Sequence, residues 1–227
     1  MAGTEPLIEA RNISKAFGPA RVLKGVSLTC RAGEVVLVLG ANGAGKSTLL
    51  RIFAGLLRSD GGEMRREPRK PAGFVSHHLF LYSRLTVREN LSLFGALAGV
   101  DSSSVEVALV FWELSELAGT LVGDLSRGNQ ARVGLARAFL AAPALRLLDE
   151  PSSNLDERGV ELLKRAIKGG GSSEAVTILA THDLHRLADV GTRVVVMSRG
   201  EIVADTGFGA ALAEVAQAME IYRESNR

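Results

Sequence analysis

The stretch Gly40-Ala41-Asn42-Gly43-Ala44-Gly45-Lys46-Ser47-Thr48 constrains this chain more than any other. It fits the phosphate-binding pattern G-x-x-x-x-G-K-[ST], and the apolar run Val35-Val36-Leu37-Val38-Leu39 leads directly into it. Five apolar residues ending at a glycine read as a buried parallel strand. Beyond the loop, Leu49-Leu50-Arg51-Ile52-Phe53-Ala54 places apolar residues at helical spacing. In that setting the glycines let successive N–H groups turn inward around phosphate oxygens, and the positive end of the following helix reinforces the anion site. Lys46 is expected to reach the β- and γ-phosphates and the Ser47 hydroxyl to ligate Mg²⁺. The pattern implies binding of a nucleoside triphosphate.

A second chemical element lies far along the chain. Ala144-Leu145-Arg146-Leu147-Leu148-Asp149-Glu150-Pro151 is an apolar strand ending in two carboxylates. A strand-end aspartate opposite such a loop holds Mg²⁺, the role expected of Asp149. Glu150, one residue on, is the candidate base that polarises the attacking water. Alone, such a pair would read as a solvated strand end.

Between and beyond these motifs, predicted strands at Leu145–Leu148, Val176–Ala180 and Val194–Met197 alternate with predicted helices at Val160–Ile167 and Leu184–Val190. That alternation predicts an α/β fold with a parallel sheet. Leu7–Ala10 and Val22–Leu28 read as short strands of an edge sheet, and Ser59-Asp60-Gly61-Gly62 as the loop ending the first helix. From about Arg84 to Gly119 the pattern is helical, with Asp101-Ser102-Ser103-Ser104 offering N-caps for a helix through Trp112 and Leu117.

Composition narrows the setting. Of 227 residues, 27 are Lys or Arg and 25 Asp or Glu, a net charge of +2 that offers no field for capturing nucleic acid. The cluster Arg65-Arg66-Glu67-Pro68-Arg69-Lys70 is short and interrupted, and reads as a solvated loop. The single cysteine, Cys30, excludes an internal disulfide and reads as a small apolar filler. No segment approaches the ~18 uninterrupted apolar residues of a membrane span, and Met1–Pro6 lacks the features of a signal peptide. A soluble, cytoplasmic chain is expected.

With these motifs in place, the chain resembles the ATP-binding subunits of ABC transporters from about Leu7 to Ile202. Leu125-Ser126-Arg127-Gly128-Asn129 resembles the signature L-S-G-G-Q, Ser153-Asn154-Leu155-Asp156 the D-loop, and Ala180-Thr181-His182-Asp183 the switch-histidine motif. Phe17, before Gly18, stands where the family stacks an aromatic on adenine; a core aromatic is the alternative. The resemblance implies a P-loop NTPase core with a parallel sheet, a small antiparallel β subdomain and an inserted α-helical signature lobe. One domain would span 1–227, its core at about 1–83 and 141–227 and its lobe at about 84–140. It further implies ATP and Mg²⁺, a second copy of the ATPase subunit, and integral-membrane permease subunits on the inner face of the cell membrane. Ser126 and Gly128 would donate to a γ-phosphate held by the other copy, Asp156 would carry information across the interface, and His182 would hold Glu150 and the water in line.

Departures from the pattern fall at three positions. Arg127 replaces a glycine and Asn129 a glutamine of the signature. His78, in Phe74-Val75-Ser76-His77-His78, stands where the family has a glutamine that helps hold Mg²⁺; a ring nitrogen suits that hard cation less well. Arg84, Thr86, Arg88 and Glu89 would contact the permease, or be an ordinary helix start. The Gly73–His78 stretch, Leu85-Thr86-Val87-Arg88-Glu89-Asn90-Leu91 and the signature are similar to the haem-exporter ATPase of bacterial cytochrome c maturation, implying export. A compact cassette whose tail, Ala210–Arg227, is one amphipathic helix at most argues against an importer with an appended sensor. Two other readings stand beside the transport motor: a soluble ABC ATPase without a permease, and a nucleotide-dependent clamp that hydrolyses slowly.

Overall fold

The computed structural model describes residues 6–66, 72–76, 78–169, 173–182, 185–207, 217–218 and 220–221. In chain order these form β1 (Ile8–Phe17), β2 (Ala20–Cys30), β3 (Val35–Leu39), α1 (Lys46–Phe53), β4 (Gly61–Arg66), β5 (Ala72–Val75), α2 (Val87–Ala98), α3 (Ser102–Phe111), α4 (Arg127–Phe139), β6 (Leu145–Asp149), α5 (Glu157–Lys168), β7 (Val176–Ala180), β8 (Arg193–Ser198) and β9 (Glu201–Asp205). Strands β2-β1-β4 make a three-stranded antiparallel sheet. The main sheet runs β5-β6-β7-β3-β8-β9, parallel except for its last strand.

Period-2 alternation divides the core into two layers. Leu37 and Leu39 of β3 join Leu148, Leu179, Val194 and Val196 on one face of the main sheet, with Trp112 and the inner sides of α4 and α5. Val36 and Val38 point the other way, to Val195, Ile178, Leu147 and the α1 residues Leu49, Leu50 and Phe53. Both faces of β3 are therefore covered, as an all-apolar run requires. Because β3 lies between β7 and β8, its carboxyl end opens at the centre of the sheet, where α/β folds hold ligands.

The antiparallel edge sheet, the parallel core and the strands at 145–149, 176–180 and 193–198 follow the sequence expectation. Other segments do not. Gly61 and Gly62 begin β4 instead of a loop; Gly62 has φ 87, and a Cβ there would lie 2.4 Å from the Asn12 carbonyl oxygen of β1. Arg65 and Arg66 belong to the same strand, and Arg66 Nη1 donates to the carbonyls of Phe53 and Ala54 at the end of α1 (3.3 and 3.0 Å). The rest of that basic cluster, Glu67–Lys70, lies outside the described residues, as do Gly170–Ser172 and most of the tail. Of the helix expected over 184–190, Leu184 lies outside the described residues, and the described part holds a 3-10 turn at Ala188–Val190. Arg186 explains this: its two nitrogens donate to the carbonyls of Ser152 and Leu155 (2.8 and 2.9 Å), and the buried Leu187 leaves the helical region at φ −131. The helix expected through Leu117 ends at Phe111, and Ser115–Leu117 forms a separate 3-10 turn. Cys30 is buried, and burial pushes its thiol up to about 12, as an apolar filler requires. Among the described residues no helix is long and apolar enough to cross a membrane.

Candidate nucleotide-binding site

Helix α1 starts without a side-chain cap. Its N-cap, Gly45, has φ 104, and a Cβ there would meet Leu23 Cδ2 at 2.7 Å, so both the backbone and the packing demand glycine. The first-turn N–H groups stay open at the positive end of the helix, which is an anion site. Lys46 is buried beside it, and its Nζ donates to the carbonyls of Gly40 and Ala41 at 2.6 and 3.2 Å. Burial lowers its pKa, while Glu150 and Asp149 oppose that shift. An ammonium hydrogen-bonded to carbonyl oxygens gains charge-assisted bonds when phosphate oxygens enter the loop.

Across the loop, β6 ends at the buried Asp149. Ser47 Oγ donates to Asp149 Oδ1 at 3.0 Å, so two oxygen ligands meet where the loop and strand converge. That donor set fits Mg²⁺, a hard cation that takes few protein ligands and keeps phosphate and water oxygens. Among the described residues no group of three or more His, Cys, Asp or Glu could hold a metal alone.

Glu150 adopts φ 52, a left-handed conformation uncommon for a residue with a side chain. Its N–H is tied to the Ala180 carbonyl (2.9 Å), and its carbonyl accepts from Ser153 N and Oγ (3.2 and 3.0 Å). The carboxylate is held from β7: Oε1 lies 2.8 Å from His182 Nδ1, and Oε2 accepts from Thr181 Oγ1 and His182 N (3.3 and 3.4 Å). His182 is 61% exposed and Glu150 only 10%, so the imidazole faces outward over a sheltered acid. The Nδ1 contact with Glu150 fixes the orientation of the imidazole.

Ser126 caps α4, accepting from Asn129 N at 3.3 Å, and is exposed, so its O–H can donate outward. A Cβ at Gly128 would come within 3.3 Å of the Asn154 carbonyl oxygen, placing the signature against the D-loop of the same chain. Asp156 has an internal role that the sequence did not show: it caps α5 through Gly159 N (2.8 Å) and accepts from Arg132 Nη2 with both oxygens (3.0 and 2.9 Å). Phe17 is 50% exposed at the end of β1, which excludes the core reading; Lys15 Nζ lies 5.6 Å from its ring centre. His78 is exposed and lines a groove with Leu79, Leu81, Val122 and Gln130. Thr86 and Glu89 form a reciprocal capping box and Arg88 pairs with Glu106, the pattern of an ordinary helix start.

Sequence reasoning missed Thr181, Arg132 and Arg186 as site-building residues. Thr181 carried a signal, since it directly precedes His182 at a strand end; the two arginines carried none without their distant partners.

Comparison with known proteins agrees with this geometry. A family model described as ABC transporter matches residues 23–153. The sulfate/thiosulfate import ATP-binding protein of Methylococcus capsulatus is 37% identical over 214 residues, covering 86% of this chain and 61% of the relative. The methionine import ATP-binding protein of Rhizobium johnstonii is 33% identical over 223 residues, covering 90% and 62%. The chain thus spans about three fifths of the length of the curated relatives it matches. Among solved structures, a nucleotide-free ATP-binding cassette from an ABC transporter superposes with a TM-score of 0.78 at 26% identity, covering 95% of this chain and 96% of that one. A dimeric bacterial ABC transporter cassette gives 0.78 at 26% identity, covering 90% and 100%. The family model and these relatives show that the chain belongs to the ATP-binding-domain family of ABC transporters.

Proposed function

We propose that this chain binds and hydrolyses ATP as the motor subunit of a membrane transporter, two copies enclosing two ATP molecules. The observation that carries it is the convergence of Ser47, Asp149, Glu150 and His182 at the carboxyl ends of β3, β6 and β7. Lys46 and the loop from Gly40 to Thr48 grip the triphosphate, and Phe17 offers an exposed ring for adenine. Ser47 and Asp149 hold Mg²⁺, whose charge offsets that of the β- and γ-phosphates. Glu150 takes a proton from the attacking water while His182 keeps the carboxylate in line. Ser126 and Gly128 cap the γ-phosphate of the other copy.

One ATPase domain over 1–227 is inferred, with the helical lobe at about 84–140 inserted into a core of about 1–83 and 141–227. Integral-membrane permease subunits on the inner face of the cell membrane would complete the transporter. Relatives named for sulfate/thiosulfate, spermidine/putrescine and methionine import favour an importer. They lend nothing to the haem-export expectation. A slow clamp is the second reading, prompted by His78, whose ring nitrogen suits Mg²⁺ less well than the glutamine expected there.

Size-exclusion chromatography of Glu150→Gln with and without Mg-ATP tests the sandwich. The expected outcome is an ATP-dependent dimer; an unchanged monomer peak would overturn it. Turnover of the native chain well above that of Glu150→Gln would reject the clamp.

A further inference from the structure

A cavity of about 320 Å³ lies on the far side of the molecule from the phosphate loop, between α3, the end of α4, the start of β6 and the end of α5. Phe111, Trp112 and Phe139 supply much of its wall. Among the described residues, the charged ones that line it are Arg146 and Arg165, and no aspartate or glutamate does. Arg146 is buried, stacks its guanidinium 5.2 Å from the Phe139 ring centre, and donates to the Ile167 carbonyl at 3.3 Å. Arg165 is exposed at the mouth, 5.5 Å from the Phe111 ring centre. Glu113, the nearby acid, pairs with Arg158 and Arg132, and Arg165 adds a weaker electrostatic pull on its carboxylate. The volume falls at the small end of the roughly 300–1,000 Å³ of ligand pockets, and an apolar wall with a few placed polar groups is their usual make-up.

We propose that this cavity binds a small anion with an apolar body, of the medium-chain carboxylate class, its tail against the aromatic rings and its carboxylate on Arg165. The two arginines, with no lining acid, favour an anion over a neutral or cationic amphiphile, and the planar fork of Arg165 suits a carboxylate. The place gives such a ligand leverage. Three of the elements that wall the cavity carry the nucleotide chemistry at their other ends: α4 starts beside Ser126, β6 ends at Asp149 and α5 starts at Asp156. α3 forms the fourth wall; α3 and α4 belong to the helical lobe and β6 and α5 to the core, so an occupant ties lobe to core at a distance of roughly 20 Å from Ser126, the length of a 13-residue helix.

Trp112 is the only tryptophan of the chain, so its emission reports on this cavity directly. Titration of the full chain with decanoate, decanol and decyltrimethylammonium is the experiment. Decanoate is expected to shift Trp112 emission saturably, about tenfold tighter than decanol, and decyltrimethylammonium to bind weakest. Arg165→Glu and Val107→Asp, both at exposed positions on the rim, should remove the preference for decanoate over decanol. Equal binding of decanoate and decanol, an effect untouched by either variant, or no saturable shift would overturn the proposal. So would an emission that shifts with protein concentration alone, which would assign the face to a second copy of the chain.

Discussion

At the scale of single residues, Glu150 shows a conflict between backbone and chemistry that the fold resolves in favour of chemistry. A left-handed residue bearing a Cβ costs about 1–2 kcal/mol, and such strain persists where the surroundings over-determine it. Here three hydrogen bonds to its own backbone and three contacts to its carboxylate do so. Replacing the acid with alanine keeps the strain, whereas glycine relieves it. Glu150→Gly should therefore be more stable than Glu150→Ala by about 0.5–1 kcal/mol, after glycine's own entropy cost, with both inactive. Paired urea melts measure this, and an alanine variant of equal or greater stability would refute it. Lys46→Met should lose ATP binding by at least about tenfold while folding normally, read by calorimetric titration. The loop and the carboxylate pair were legible because each acts through neighbours in the chain. The bonds from Thr181 to Glu150 and from Arg132 to Asp156 span 31 and 24 residues, so no local pattern announces them.

At the scale of elements, helix starts were the most legible boundaries and the segment after His182 the least. Asp101 and the Thr86–Glu89 box mark α2 and α3 with side chains that satisfy orphan N–H groups. The apolar spacing from Leu184 to Val190 suggested a further helix, but Arg186 bonds to a loop that only the fold brings near. Acid should undo the caps. Backbone bonds from Thr86 and Gly159 hold Glu89 and Asp156 below the usual carboxylate range, and the Ser103 hydroxyl does the same for Asp101. With folded pKa values below the unfolded ones, this contribution is complete above about pH 5 and fades as pH falls through the unfolded and then the lower, folded values. The urea midpoint should thus hold from pH 7 to about pH 5 and drop below about pH 4, with a shallower drop in Glu89→Gln and Asp101→Asn. Asp156→Ala, which removes a cap and the Arg132 pair together, should cost about 1 kcal/mol or more at neutral pH, while Asp156→Asn keeps part of the cap.

For the whole molecule, the two-layer core follows from alternating apolar runs, but the proposed site between copies would be written in one chain only as two separate halves. The phosphate loop lies at the end of β3 and Ser126 at the start of α4, exposed and facing away from its own chain's interior. A symmetric pair would join the loop of one copy to the signature of the other, giving two equivalent sites. Complementation separates this arrangement from a self-sufficient monomer. Lys46→Ala spoils the loop and Ser126→Arg spoils the signature, so each variant alone leaves both sites of its homodimer defective. When the two are mixed, half of the pairs are mixed pairs, and each of these joins one intact loop to one intact signature. With independent sites, equal mixing should restore about one quarter of native turnover from two nearly inactive proteins. If Ser126→Arg alone hydrolysed ATP at the native rate, or if mixing never raised turnover above the sum of the parts while mixed pairs formed, the shared site would be ruled out.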